Sequence, residues 1–98
     1  KSTFIVLLAL AMARAMAADA SSEQIVGAID AVVFVCAPID AKSAKAGLEL
    51  LETTRIERKL DLAALRKTDP YKSMYNSEAN RLLSLPAKDR LAACKKAW

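Results

Sequence analysis

The chain has 98 residues, 54% of them apolar, with fifteen Lys/Arg against eleven Asp/Glu for a net charge of +4 and no histidine at all. That length holds one small domain. Without histidine there is no Ser-His-Asp or Cys-His arrangement, no imidazole base at neutral pH and no imidazole ligand for zinc, so the chain reads as non-enzymatic.

The chain opens with Lys1, Ser2 and Thr3, followed by the apolar run FIVLLALAMA over residues 4–13, Arg14 and the small-residue series AMAADA. A charged start, a short apolar core and Ala-x-Ala sites ending at Ala17 and Ala20 are the parts of a secretory signal peptide. Ten apolar residues at ~1.5 Å each cover only about half of a ~30 Å hydrocarbon core, which argues against a spanning anchor. The expectation is a leader over residues 1–20, cleaved after Ala17 or Ala20, and a single helical domain over residues 21–98 that is secreted and extracellular. That domain keeps thirteen Lys/Arg and ten Asp/Glu, a net +3.

The three prolines after the leader, Pro38, Pro70 and Pro86, divide the domain into four pieces. In the first, Ser21 with Gln24 three residues on fits a capping box. Ile25, Ile29, Val32 and Cys36 then recur at i, i+4, i+7 and i+11, with Val26 and Val33 beside them, and the stretch 31–37 is apolar almost all round. This predicts a helix covered on several sides and stopped by Pro38, with Phe34 left off the main stripe.

The second piece starts at Asp40, a good N-cap, and runs to Lys67. Ala44, Leu48 and Leu51 share one face and Ile56, Leu60 and Ala63 another, so a kink or break is expected between Thr53 and Asp61. Glu52 and Arg55, three apart, form a solvated pair. In the third, Asp69 is expected as N-cap with Pro70 at the first helical position, and Tyr71, Met74, Tyr75, Ala79 and Leu82 make an amphipathic stripe. In the fourth, Ala87, Leu91, Cys94 and Trp98 recur at helical spacing.

Cys36 and Cys94 are the only cysteines, and both fall on inward stripes. In an oxidising compartment they pair, closing a loop of nearly sixty residues; the alternatives are two free buried thiols or a bond to another chain. The fold class is all-α: a small bundle of four to five helices, its first and last helices tied by one disulfide.

No glycine-rich phosphate loop and no acidic calcium loop is present, so no metal and no cofactor is expected. A net +3 without interleaved aromatics is thin for nucleic acid, and none is expected as partner. Two surfaces stand out. Val33, Phe34, Met74, Tyr75 and Leu82 offer an apolar wall for a small ligand or a partner, with self-association as a homodimer an equal use of the same excess. Lys88, Arg90, Lys95 and Lys96 near Trp98 form a basic face suited to an anionic membrane. The function expected is binding of a macromolecular partner; the alternatives are carriage of a small apolar ligand in the helical core and cationic membrane activity.

Overall fold

The computed structural model describes residues 20–98, all in helices, turns and short connections. The signal-peptide expectation for residues 1–20 lies outside the described residues except for Ala20. Helix α1 spans Ser22–Cys36. It starts as the sequence dictates: the Gln24 amide N–H donates to Ser21 Oγ at 3.2 Å while the Ser21 amide donates to Gln24 Oε1 at 3.0 Å, so two otherwise orphaned donors are satisfied reciprocally. It ends in a tight turn, where the amides of Ile39 and Asp40 both donate to the Cys36 carbonyl.

Helix α2 spans Ala41–Arg58. Asp40 occupies its N-cap position with extended backbone, but the carboxylate makes no capping hydrogen bond. Lys59 stops the helix by entering the left-handed region at φ 54°, and the Leu60 amide reaches back to the Arg55 carbonyl. The short helix α3, Leu62–Leu65, begins at once under an Asp61 side chain that accepts from the Ala64 amide. The break therefore falls inside the expected window, but the expected face Ile56, Leu60 and Ala63 does not turn inward as a unit: Ile56 and Ala63 are exposed, Leu60 is half-buried, and the residue that α3 buries is Leu65.

Helix α4 spans Asp69–Leu83. The expected N-cap moves back by one residue: Thr68 holds the extended cap position and its hydroxyl donates to the Leu65 carbonyl. Asp69 consequently sits in the first turn, where a carboxylate complements the helix dipole, and Pro70 stays where a missing N–H costs nothing. Helix α5, Ala87–Lys95, completes the chain of elements.

α1 is the central helix, with α4 laid along one side and α2 along another. Two cores result. Val26, Ile29, Leu51 and Leu65 join α1, α2 and α3; Ala31, Val35, Ala79 and Leu82 join α1 to α4. Both glycines mark close crossings. A Cβ on Gly27 would lie 2.8 Å from the Tyr71 carbonyl oxygen, and one on Gly47 would lie 2.6 Å from both the Trp98 ring and Val33. The bond Cys36–Cys94, with Cα atoms 5.6 Å apart, ties α5 to the end of α1.

Two further stripes differ from expectation. On α5 only Cys94 is buried, while Ala87 and Leu91 face solvent. The nine-residue helix is held mainly by its disulfide, and the residues it turns toward α4 are Arg90 and Ala93. On α2 the inward face is Ser43, Ala44, Gly47 and Leu51, and Leu48 is exposed, because the crossing is centred on Gly47.

Candidate functional site

From Ile25 to Cys36 helix α1 carries one polar side chain, Asp30, so most of its circumference needs cover, and α1 does not receive it everywhere. α2 and α4 both pack on α1 but diverge on one side, leaving the strip Ile25, Ala28, Val32 between them. These residues follow at i, i+3 and i+7, one line along the helix. Over the first half lies a hollow of about 380 Å³ lined by Ile25, Ala28, Ile29, Leu50, Thr54 and Met74. Over the second half lies one of about 280 Å³ lined by Ala28, Ile29, Val32, Leu82, Ala93 and Trp98, with the Glu78–Arg81 ion pair at its rim. Because Ala28 and Ile29 line both, the two hollows form one trough, walled by α2 and α4 and closed at its far end by α5 and Trp98.

The opposite face of α1 is sealed by polar chemistry. Asp30, in the middle of the helix, accepts from Arg66 Nε at 2.8 Å and Arg66 Nη2 at 3.1 Å, and from the Tyr71 hydroxyl at 2.7 Å. The carboxylate is largely buried, so a bidentate guanidinium and a phenol satisfy a charge that would otherwise be costly there. Burial, followed by the hydrogen bond to Asp30, pushes the Tyr71 hydroxyl from its ordinary 10.0 up to about 12. Arg66 is held still more firmly protonated, chiefly by its hydrogen bonds to Asp30. Through this one carboxylate α1, the α3–α4 connection and α4 are locked together.

A third feature is a clasp at the disulfide end. Buried Ser43 donates its hydroxyl to the Cys94 carbonyl at 2.7 Å, and Trp98 Nε1 donates to the Ser43 carbonyl at 2.8 Å with its ring over Gly47. A hollow of about 500 Å³ opens beside it, lined by Asp40, Lys42, Ser43, Ala46, Cys94, Lys95 and Trp98.

The five residues expected to form one apolar wall are spread over three faces. Met74 walls the first half of the trough and Leu82 lines the second. Val33 turns the other way, against Gly47 of α2. Phe34, 61% exposed, stacks on Tyr75 with ring centroids 6.2 Å apart, and Tyr75 stacks on Tyr71 at 5.9 Å. Of the basic residues, Lys88, Lys95 and Lys96 are exposed, whereas Arg90 donates to the carbonyls of Leu82, Leu83 and Leu85 and so caps the end of α4.

The trough strip was open to sequence reasoning through the i, i+3, i+7 spacing of Ile25, Ala28 and Val32. The stripe Ile25, Ile29, Val32, Cys36 absorbed two of these as core, yet Ile25 and Val32 are only half-buried while Val26 is fully buried. Asp30 also carried a signal, being an acid in the middle of an otherwise apolar helix. Nothing in the sequence pattern names Arg66 as its partner. Among the described helices none is long and apolar enough to cross a membrane. Comparison with known family models, curated proteins and solved structures finds no match for the chain.

Proposed function

We propose that the chain is a small secreted, non-enzymatic protein that acts by holding an amphipathic helix of a partner protein along the α1 trough. The observation that supports this reading most is the uncovered strip Ile25–Ala28–Val32 between two helical walls. A straight line of apolar residues about 10 Å long, flanked by α2 and α4, has the shape left when one helix of a bundle is missing, and helix-in-groove recognition fills such a place. Leu50 and Met74 supply aliphatic and adaptable contact, and Thr54 with the Glu78–Arg81 pair supplies a polar rim. The leader-like start of the sequence and the disulfide support an oxidising, extracellular location.

The carrier reading uses the same residues, but a drug-sized ligand in a dedicated pocket is mostly enclosed, and the trough lies open along its length. Native mass spectrometry of the protein isolated from its source separates the two. A retained polypeptide mass that is lost in the Ala28→Glu variant is the expected result. A retained small apolar mass would transfer the trough to a carrier, and a bare chain at every concentration would overturn both.

A further inference from the structure

We infer a second interaction surface, which meets the trough at Trp98: the disulfide end of the molecule docks on an anionic lipid bilayer. The fold brings the start of α2 against the end of α5, as the Ser43–Cys94 and Trp98–Ser43 hydrogen bonds record. Residues 40–47 and 87–98, which meet there, carry six basic and two acidic side chains, a net +4; the remaining described residues carry seven and eight, a net −1. The positive charge of the domain is thus gathered at one end.

Three of the seven cations elsewhere are ion-paired, and none of the lysines at this end is. Arg55, Arg66 and Arg81 pair with Glu52, Asp30 and Glu78. Among the described residues Lys42, Lys45, Lys88, Lys95 and Lys96 form no ion pair; the acids nearby on their own elements are Asp40, Asp89 and Glu49, which lies one turn from Lys45 and offsets it. Lys88 and Lys95, two turns apart, share the outer face of α5, and Lys42, Lys95 and Trp98 ring one hollow. Between these lysines stand exposed apolar side chains: Ile39 at 40%, Leu91 at 37% and Trp98 at 43%.

Clustered lysines with interleaved aliphatic and indole groups match the headgroup layer of an anionic leaflet, where cations meet phosphate and serine carboxylate and Trp sits at the interface. A nucleic acid would ask for several aromatic faces interleaved with the cations, and residues 40–47 and 87–98 hold one aromatic, Trp98. With Arg90 committed to the end of α4, the working cations are Lys42, Lys88, Lys95 and Lys96.

Flotation of the disulfide-intact protein with phosphatidylcholine vesicles, with and without phosphatidylserine, tests this. Binding is expected only to the anionic vesicles, with a blue shift of Trp98 emission, and is expected to disappear in high salt. Each lysine near such a surface is worth about fivefold in partitioning, so Lys42→Ala/Lys88→Ala/Lys95→Ala/Lys96→Ala together lower it by about 100-fold or more, whereas Arg58→Ala/Lys59→Ala/Lys67→Ala/Lys72→Ala change it by less than about threefold. Far-ultraviolet circular dichroism verifies that both sets fold. Equal binding to neutral vesicles, equal loss in the two sets, or salt-sensitive binding to DNA without vesicle binding overturns the inference.

Discussion

The two flanks of α1 solve one problem in opposite ways. On one flank the helix places Asp30 under Arg66 and Tyr71, and three hydrogen bonds pull α3 and α4 across it. On the other, Ile25, Ala28 and Val32 look out between α2 and α4, and no element is drawn over them. The sealed flank is specified by a partnered charge, which tolerates few arrangements; the open flank is specified only by apolar character, which accepts any complementary surface. A small domain that leaves such a strip beside a well-closed one has a place for something else to supply the cover.

The largest way to disturb this contrast is to release the end wall of the trough. Replacing both Cys36 and Cys94 by Ala removes the link that holds α5 to α1, and should cost about 4 kcal/mol, read by urea unfolding against the oxidised protein. Next comes the sealed flank. Asp30→Ala strands Arg66 and Tyr71 and should cost about 2–3 kcal/mol while leaving trough occupancy intact in the native protein, which native mass spectrometry checks.

The same flank has a pH signature. Tyr71 is raised in the folded state from 10.0 to about 12, so the folded form prefers the neutral phenol. Its contribution is fully present below pH 10, where folded and unfolded states are both protonated, and is lost as pH climbs toward 12. Ultraviolet phenolate titration should show one tyrosine ionising near 12, and Tyr71→Phe should abolish that step and flatten the alkaline fall in stability. The smallest stability effect belongs to the open flank: Ala28→Glu should shift unfolding by less than about 0.5 kcal/mol, yet abolish occupancy of the trough.

How far the sequence reaches can be seen residue by residue. Ser21 and Gln24 announce their capping box because the motif is local, and the change of apolar direction after Thr53 announces the break that Lys59 and Asp61 make. The disulfide was legible because the chain has two cysteines and hence one pairing, although the α5 stripe expected to turn Cys94 inward is otherwise exposed. Thr68 displaced Asp69 as cap because two adjacent residues both favour the position, and Thr68 is the one whose amide and hydroxyl are tied to the Leu65 carbonyl. Leu91 was misplaced because a nine-residue helix pinned by one covalent bond need not bury its best stripe. The trough is a property of how far α2 and α4 diverge, and Arg66 meets Asp30 from 36 residues away. Periodicity describes one helix at a time and is silent on both.

The most direct test of the contrast is site-specific photo-crosslinking in the protein at its source. A photoreactive side chain at Ala28, on the open flank, should yield an adduct of protein mass, while the same group at Lys67, beside Arg66 on the sealed flank, should yield none. Adducts of equal yield at both positions, or none at Ala28, would contradict the account.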